Sequence, residues 1–507
     1  MNFSMIKNII GKIMVLLSIL MIFPMIVSII YFEQEGIWNV LAYAIPIVIL
    51  FVAGIILSHK KLNNKKMGAK EGFVIVSLSW LIMSLFGCIP FIVIGLINGK
   101  QGIPNFFDAF FEMASGFTTT GSSVVENVEE LAKSVQFWRS LSHWIGGMGI
   151  LVFILALIPE SNEGSSMHIL RAESPGPQVG KLVSKMKVTS RILYIIYFVM
   201  TLILIGFLYL GHLLGFDKGY NEMNLFKSII YSFGTAGTGG FSVDANGLAG
   251  YAPYFQYVIS IGMIAFAINF TIYYLLLLFK FKDIWKNEEL KAFLIIVAVS
   301  TIIITINLFV TFKDNELFKE FNTLEGSIRH ALFQVASIIS TTGYTSTSFN
   351  LWPVLSQTII VLLMISGGCA GSTAGGVKIS RLVILFKTVI AKIKNMIVPR
   401  KVQVIKYNDG TLDESTSNGV QSFLIIYCVV LVGCALLISI DNNSFFTNFT
   451  ASLACISNVG PAFGEAFANF RCFSWFSKLI LALEMIAGRL EIFPLLLLFY
   501  PKTWMKR

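Results

Sequence analysis

One sequence pattern occurs four times along this chain and limits the folds that it can adopt. Each copy begins with Asn or Ser and ends, sixteen positions later, with a glycine in a short turn rich in Thr, Ser and Asn. The last glycines are 119, 103 and 117 residues apart (240−121, 343−240, 460−343). Because apolar stretches flank every copy, this spacing predicts four structural repeats. The copies are NFFDAFFEMASGFTTTG (Asn105 to Gly121), NLFKSIIYSFGTAGTGG (Asn224 to Gly240), SIRHALFQVASIISTTG (Ser327 to Gly343) and SFFTNFTASLACISNVG (Ser444 to Gly460).

The composition places these repeats in a membrane. Of the 507 residues, 55% are hydrophobic and 13% are charged, and the mean hydropathy is +0.76. Soluble domains carry roughly 25% charged residues, and several apolar runs here reach the roughly 20 residues that cross a bilayer. No small-residue cleavage site follows the first run, so we expect a retained helix rather than a signal peptide. The six cysteines show no paired spacing and the five histidines form no metal-binding cluster, so nothing indicates a metalloenzyme.

Basic residues crowd alternate loops of the chain. The net charge is +10, and lysines cluster in 60–70, 181–187, 280–291 and, most densely, Lys378–Lys406, which holds eight basic residues. The loops between these clusters are acidic, as at Glu126. The positive-inside rule therefore predicts that both termini are cytoplasmic and that the glycine turns lie near the outer face. Because the lysines follow this topology, we expect a partner in the lipid bilayer and no nucleic-acid binding.

The predicted fold is an all-α integral membrane protein with four pseudo-symmetric repeats around a central pore. Each repeat is a helix, a short re-entrant pore helix, a turn and a second helix. Two extra transmembrane helices, near 10–31 and 37–58, precede the repeats, which gives ten full crossings and four half-crossings. Non-helical backbone at membrane depth must be surrounded by protein or water, so the four turns are expected to converge. The predicted domains are 1–70 for the two-helix preface, then 71–188, 189–289, 290–417 and 418–507 for repeats 1 to 4.

The polar turns after the short helices form the candidate binding site. The Asn and Ser residues that open each copy are expected to cap the short helices, and glycine allows a backbone that turns successive carbonyls toward one axis. Four such turns offer rings of oxygens that replace the water shell of a monovalent cation, and glycine in all four favours K⁺. The alternative is that the glycines only allow close helix packing. The predicted filter residues are Thr118, Thr119, Thr120, Gly121, Gly237, Thr238, Gly239, Gly240, Ser340, Thr341, Thr342, Gly343, Ser457, Asn458, Val459 and Gly460.

These turns resemble those of the Trk/Ktr/HKT superfamily of potassium transporters, most closely the bacterial Trk-type pore subunit. Three further stretches carry the resemblance: Trp138-Arg139 with WIGGMG (Trp144–Gly149), GGCAGSTAGG (Gly367–Gly376) and GRLEIF (Gly488–Phe493). The similarity extends from about residue 70 to the C-terminus, and the two-helix preface is similar to the Trk branch. The resemblance implies potassium uptake across the bacterial plasma (inner) membrane, with K⁺ as the transported ion and no cofactor in this chain.

A glycine-rich stretch interrupts the second helix of repeat 3. A run so rich in Gly, Ala and Ser does not remain a stable helix, so it forms either a loop below the turns or a tight kink. The resemblance implies a loop that acts as an intramembrane gate. Arg489, a costly charge in an apolar helix, either limits cation passage below the filter or pairs with another helix. Lys378 lies at the cytoplasmic mouth or is an ordinary inner-loop lysine. The predicted gate residues are Gly367, Gly368, Gly371, Ser372, Thr373, Gly375, Gly376, Lys378 and Arg489.

The resemblance also implies two protein partners. One is a second copy, giving a homodimer with one pore per subunit; the other is a cytosolic nucleotide-binding regulatory subunit (TrkA-like). The chain has no Walker lysine motif and no GxGxxG opening a helix, so nucleotide control falls to that partner.

Three alternatives compete with this interpretation. The first is a sodium-permeable or ion-coupled symporter of the same superfamily. A rocking secondary transporter needs two inverted halves, whereas these four units are parallel. An enzyme needs an intramembrane acid–base or metal group, and the strong charges there are only Arg489 and its neighbours Glu484 and Glu491. We therefore predict a transporter that is not an enzyme.

Overall fold

The computed structural model of the protein is helical almost throughout, as the predicted all-α class requires. The exception is one pair of antiparallel strands of two residues each, Lys406–Tyr407 and Gly410–Thr411. Tyr407 lies opposite Gly410. Most of the lysine clusters at 60–70 and 181–187, and the part of predicted repeat 1 from 150 to 185, lie outside the described residues. The structure describes residues 1–59, 68–149, 186–313, 316–398, 404–408 and 410–505.

Six of the described helical segments are long and apolar enough to cross a membrane. Two belong to the preface, and one is the first helix of each repeat. Gly11 and Gly54 allow the two preface spans to meet closely, since a Cβ on either residue lies 2.7 Å from the carbonyl oxygen of the other. Small residues serve this purpose in membrane helices. The six segments are Phe3–Ile30, Phe32–Ser58, Lys70–Gln101, Ser190–Leu213, Glu288–Phe312 and Glu414–Asp441.

Several of these spans contain more than one helix. The first combines Phe3–Leu20 with Ile22–Ile30, so the preface begins earlier than the predicted 10–31. The first span of repeat 1 combines Ala69–Gly87 with Ile89–Asn98. The other first helices are Met186–Leu213, Glu288–Phe312 and Glu414–Ile438.

A short helix follows each first helix, and three of the four predicted caps are present. The side chains of Asn105, Asn224 and Ser444 accept hydrogen bonds from backbone N–H groups in the first turn of their helices. These bonds satisfy donors that have no partner inside a helix. The short helices are Phe106–Phe117, Leu225–Gly237, Leu324–Ile339 and Phe445–Ile456.

The predicted cap of repeat 3, Ser327, is wrong. That helix begins one turn earlier, and Thr323 caps it by accepting from the N–H of Gly326 at 3.1 Å. Ser327 lies within the helix and donates its hydroxyl to the carbonyl of Phe321 at 3.1 Å. The equal spacing of the four copies had favoured Ser327, but this helix has 16 residues where the others have 12 or 13.

The second helices are interrupted in repeats 2, 3 and 4, whereas the sequence predicted a break in repeat 3 alone. In repeat 2 the two halves meet at an angle of 92°. In repeat 4 the chain turns through Glu491 and Ile492, both with positive φ. The second helix of repeat 1 has 15 residues in the described part of the chain, so no second helix counts among the six continuous spans found there. The total of ten crossings stays a prediction. The segments are Lys133–Gly147 in repeat 1, Pro253–Ala267 and Phe270–Leu277 in repeat 2, Val354–Ser366 and Ile379–Ile397 in repeat 3, and Trp475–Arg489 and Phe493–Phe499 in repeat 4.

Shorter elements join these helices. A six-residue helix, Phe281–Lys286, precedes the first helix of repeat 3. Short 3₁₀ turns are at Gly99–Gln101, Val128–Glu130, Glu316–Phe321, Phe349–Leu351, Ser439–Asp441, Gly464–Ala466 and Pro501–Thr503.

The repeats pack in a cyclic order. The short helix of each repeat contacts the second helix of the preceding repeat, and the short helix of repeat 1 contacts the second helix of repeat 4. The fourth residue of each second helix shows how these helices are held. In repeats 1 to 3 it is Gln136, Gln256 or Gln357, whose amide donates to two backbone carbonyls of the preceding loop at 2.9–3.2 Å. In repeat 4 it is Lys478, which pairs at 2.6 Å with Asp108 of repeat 1 and joins the last repeat to the first.

Candidate ion-conducting site

The four turns share one backbone conformation. In each, the N–H of the residue before the glycine donates to a carbonyl five residues back, at 2.8–2.9 Å. This bond closes the C-terminus of the short helix in the manner of a Schellman motif. Such a closure needs left-handed backbone, which glycine adopts freely and Thr or Asn adopts at a cost. The left-handed residues are Thr119 (φ 56°), Thr238 (54°), Thr341 (56°) and Asn458 (54°), followed by Gly121 (83°), Gly240 (77°), Gly343 (85°) and Gly460 (104°).

The turns meet in a closed ring. A Cβ on Gly121 would overlap the carbonyl oxygen of Gly239 in repeat 2, and a Cβ on Gly240 would overlap that of Thr342 in repeat 3. Gly343 is placed in the same way against the carbonyl of Val459. A Cβ on Gly460 would lie 2.6 Å from the carbonyl oxygen of Thr120, which returns the sequence of contacts to repeat 1. Each glycine is therefore required twice, for its positive φ and for the close approach of a neighbouring carbonyl.

The four carbonyls of this ring receive no hydrogen bond from the described part of the chain. No N–H or hydroxyl there donates to the oxygens of Thr120, Gly239, Thr342 or Val459. All four residues are buried, and buried backbone carbonyls are almost always hydrogen-bonded. In the described part of the chain, no group of three or more His, Cys, Asp and Glu side chains is placed to hold a metal ion. The ring thus offers converging oxygen acceptors to which no residue in the described ranges donates a hydrogen bond.

The hydroxyls and amide of the turns bond behind this ring. Thr118 and Thr120 share a hydrogen bond of 2.8 Å, and Ser340 and Thr342 share one of 2.7 Å. In repeat 4 the Asn458 amide donates to the Thr120 hydroxyl at 2.9 Å, which ties repeat 4 to repeat 1. These bonds hold the turns in place and leave the carbonyl oxygens free of competing donors.

The glycine-rich stretch is a non-helical loop directly against the turns. It runs from Gly367 to Lys378, between the two halves of the second helix of repeat 3. The N–H of Gly375 donates to the hydroxyl of Thr341 at 2.7 Å, and a Cβ on Gly375 would overlap the carbonyl of Ser457. The loop therefore contacts the turns of both repeat 3 and repeat 4.

The break in repeat 2 supplies bonding groups for this loop. The N–H of Cys369 donates to the carbonyl of Ala267 at 3.0 Å, and the Thr373 hydroxyl donates to the carbonyl of Phe266 at 3.1 Å. Both carbonyls are at the end of the helix, where they have no partner within it. The bend in repeat 2 thus exposes carbonyls that help to hold the loop in place.

Arg489 joins the loop to the turn of repeat 1. Its guanidinium donates to the Thr119 hydroxyl at 3.1 Å and to the Thr373 carbonyl at 2.9 Å. It also donates to the carbonyls of Gly146 and Gly147, where the second helix of repeat 1 ends. A cation is favoured at the C-terminus of a helix. The two glutamates near it in sequence bind elsewhere: Glu484 accepts from Ser452 at 2.6 Å and Glu491 pairs with Arg381.

Lys378 ends the loop and folds back on it. It has a positive φ of 78° and donates its ammonium to the carbonyl of Ala374. The loop and the next helix are also held by Glu289, whose carboxylate accepts from the N–H groups of Ala370 and Ser380 at 2.6 and 3.1 Å. Lys378 is therefore a structural part of the loop base, next to a carboxylate from the first helix of repeat 3.

A vestibule opens on the side of the ring away from the loop Gly367–Lys378, and no residue of that loop lines it. Its volume is about 1000 Å³, and the four turn glycines all line it. Its walls carry three carboxylates, Glu126, Glu129 and Asp244, and one guanidinium, Arg139. Neighbouring groups pair with most of these charges: Glu126 with Arg471, Asp244 with Lys227 and Arg139 with Glu112.

The same arrangement of elements is found in known proteins. The family model described as TrkH, cation transport protein, matches residues 40–506. This chain belongs to the TrkH family. The predicted membership of the Trk/Ktr/HKT superfamily, on its Trk branch, is confirmed. The crystal structure of the potassium transporter TrkH from Vibrio parahaemolyticus superposes with a TM-score of 0.85 at 28% identity, and covers 100% of both chains.

Curated relatives of this TrkH-family chain match it over nearly its whole length. The Trk system potassium uptake protein TrkH of Vibrio parahaemolyticus is 30% identical, with 99% of this chain and 100% of the relative covered. The TrkH protein of Salmonella typhimurium is 32% identical with the same coverage. The Trk system potassium uptake protein TrkG of Escherichia coli is 30% identical over 97% of each chain.

The sequence did not reveal the buried ion pair that supports repeat 1 of this TrkH-family chain. Glu112, in the short helix, accepts from Arg139 at 2.7–2.8 Å, and also from the Ser123 hydroxyl and the Val124 N–H at 2.9 Å. The guanidinium stacks 4.1 Å from the ring centroid of Phe241 in repeat 2. In the sequence, Arg139 stands out only through its Trp-Arg motif. The two helices also hold Asp108, Lys133 and His143, so the sequence does not single out Glu112 and Arg139 as partners.

We expect Arg139→Met to destabilise the protein strongly. The substitution leaves Glu112 charged and buried at 0% exposure, and breaking such a pair costs about 3–5 kcal/mol. The matched control is Arg471→Met, which breaks the Arg471–Glu126 pair, whose side chains are 61% and 63% exposed. Thermal unfolding in detergent should show a large loss for the first variant and almost none for the control. Equal losses would contradict the assigned role of Arg139.

Proposed function

We propose that this chain is the pore-forming subunit of a bacterial Trk-type potassium uptake system. In this proposal, K⁺ crosses the plasma membrane through the ring formed by the four turns. The supporting observation is the set of buried carbonyls at Thr120, Gly239, Thr342 and Val459, to which no described residue donates a hydrogen bond. Relatives at 30–32% identity are named Trk system potassium uptake proteins, which supports K⁺ as the ion.

The chemistry of the ring suits a monovalent cation that has lost its water. Carbonyl dipoles replace the hydration shell without adding net negative charge, so an ion is able to enter and to leave. The short helices add to this effect, since their C-terminal ends carry partial negative charge and precede the turns. The filter consists of Thr118–Gly121, Gly237–Gly240, Ser340–Gly343 and Ser457–Gly460.

The loop Gly367–Lys378, with Arg489, is the proposed gate. The loop blocks the path on the side of the ring opposite the vestibule, and its few side chains leave no bulk that would prevent movement. Arg489 places a positive charge there and binds both the loop and the repeat 1 turn. Opening requires the loop to leave the carbonyls of Phe266 and Ala267, so the gate is held by a small number of replaceable hydrogen bonds.

The remaining parts of the proposal concern assembly and orientation. We propose a multi-pass protein of the bacterial inner membrane with both termini in the cytoplasm, assembled as a homodimer. A cytosolic nucleotide-binding regulatory subunit (TrkA-like) is expected to bind the basic inner loops. Exposed lysines in the described part of the basic stretches 280–291 and Lys378–Lys406, such as Lys282, Lys286 and Lys392, support a negatively charged docking partner.

Replacing one ring glycine tests the filter. Gly343→Ala places a methyl group against the Val459 carbonyl and forces alanine to a φ of 85°. Strain of about 1–3 kcal/mol or more should lower K⁺ flux roughly tenfold. Flux is measured in liposomes under separate K⁺, Na⁺ and H⁺ gradients. The control is Gly206→Ala in the first helix of repeat 2, where a Cβ contacts nothing within 4 Å.

Three results decide this test. K⁺ flux in the wild-type protein and in Gly206→Ala, with loss in Gly343→Ala, supports the filter. Wild-type flux that needs an Na⁺ or H⁺ gradient indicates a coupled symporter instead. Equal K⁺ flux in all three proteins would show that the ring does not conduct.

Removing the charge of Arg489 tests the gate. Arg489→Ala takes away the cation and its bonds to the loop, while Arg489→Gln takes away the charge but keeps an amide group that donates hydrogen bonds. Because a unit charge within a few Å of the path contributes on the order of 1–4 kcal/mol, tracer K⁺ uptake without activation should rise roughly tenfold in both variants. Deleting Ser372–Gly375 should also raise it. The exposed Lys502→Gln serves as control. Unchanged uptake in every gate variant would refute the assignment.

A further inference from the structure

The fourfold pattern has two exceptions, one in the second helix of repeat 1 and one in the turn of repeat 2. The eleventh residue of each second helix is methionine in repeats 2, 3 and 4 but His143 in repeat 1. The residue before each turn glycine carries a side chain in repeats 1, 3 and 4 but is Gly239 in repeat 2. The second helix of repeat 1 packs against repeat 2, so the two exceptional residues meet.

The imidazole of His143 occupies the space of the missing side chain. A Cβ on Gly239 would overlap the ring atoms Cγ and Nδ1 of His143, and its three nearest atoms all belong to that ring. The φ of Gly239 lies outside the left-handed region, unlike that of Gly240. Backbone conformation therefore does not demand glycine at position 239, whereas the His143 ring does.

His143 also bonds to the backbone on both sides of the contact. Its Nδ1 lies 2.8 Å from the carbonyl oxygen of Gly116, and its Nε2 lies 3.2 Å from the N–H of Phe241. A carbonyl accepts and an amide N–H donates, so these partners assign the proton to Nδ1 and leave Nε2 as the acceptor. The imidazole thus connects the short helix of repeat 1 to the residue that directly follows Gly240.

Repeat 2 needs this external support because its turn lacks the internal one. In repeats 1 and 3, the turn is braced by the hydroxyl pairs Thr118–Thr120 and Ser340–Thr342. In repeat 4, the amide of Asn458 holds the turn by donating to the Thr120 hydroxyl and the Met485 carbonyl, both at 2.9 Å. The positions of the hydroxyl pairs correspond in repeat 2 to Gly237 and Gly239, which have no side chain and the greatest backbone freedom. The carbonyl of Gly239 is nevertheless one of the four in the ring.

We propose that His143 is the positioning residue that fixes the Gly239 carbonyl in the filter, and that it thereby determines K⁺ over Na⁺ discrimination. This inference rests on the proposed function. The smaller ion is favoured when a carbonyl moves freely toward the axis, so a filter held in three repeats and loose in one loses selectivity. His143 touches no ion itself; it acts through the backbone of repeat 2.

The test compares K⁺ and Na⁺ fluxes in liposomes for variants at position 143. His143→Met introduces the residue of the other three repeats and removes both hydrogen bonds. We expect it to lower the K⁺/Na⁺ flux ratio about tenfold, equivalent to about 1.4 kcal/mol. His143→Gln retains one donor and one acceptor and should restore most of the ratio. His143→Asn is too short to reach Phe241 and should resemble the Met variant. His212→Met, at a partly exposed histidine that pairs with Asp217, is the control.

A double-mutant cycle tests the contact itself. Gly239→Thr alone must displace the His143 ring and should lower both flux and selectivity. Combined with His143→Met, it recreates the combination between repeats 2 and 3, where the second helix of repeat 2 carries the methionine and the turn of repeat 3 carries the threonine. The double variant should therefore lose less than the sum of the single losses. This variant also decides the matter if His143→Met alone fails to fold.

Failure of the proposed function and failure of the role of His143 give different results. Absence of K⁺ flux in the wild-type protein refutes the proposed function. Wild-type K⁺ flux, with a ratio unchanged in the Met and Asn variants or with additive losses in the cycle, overturns the role of His143 alone. A loss in Gln as large as in Met also overturns it, because hydrogen bonding would then not matter.

Discussion

A buried carbonyl oxygen without a donor costs free energy. This fold gathers four carbonyls that have no donor among the described residues, at the points where successive repeats meet. Much of the surrounding structure serves to hold them there. The left-handed closure of each short helix turns the backbone, and the following glycine admits the carbonyl of the next repeat. The cyclic packing brings repeat 4 back to repeat 1, where the Lys478–Asp108 pair and the Asn458–Thr120 bond complete the ring. Such a cost is tolerable when a desolvated cation supplies the missing partner.

The interruptions of the second helices form a second layer of structure next to the ring of turns. A helix that ends within the protein exposes carbonyls with no partner, and the structure uses them. The loop of repeat 3 binds the end of the repeat 2 helix through Phe266 and Ala267. Arg489 binds the end of the repeat 1 helix through Gly146 and Gly147. The ring is nearly symmetric, whereas this layer differs in every repeat, and regulation is expected to act there.

The repeats, the membrane class and the family were predictable from sequence because they depend on spacing and composition. The repeat 3 break was predictable too, since GGCAGSTAGG marks it. The breaks in repeats 2 and 4 were not, because neither Ile268 nor Glu491 is a helix breaker. The Thr323 cap was missed because the copies were assumed to have equal helix lengths. His143 was hidden in the same way, since its role follows from a contact with another repeat.

The most direct measurement is the anomalous scattering of Rb⁺ in crystals of this protein, with Rb⁺ in place of K⁺. We expect a strong peak coordinated by the carbonyl oxygens of Thr120, Gly239, Thr342 and Val459, and its loss when Na⁺ replaces Rb⁺. An empty ring in crystals of protein that transports Rb⁺ in liposomes would contradict the claim that these carbonyls carry the ion.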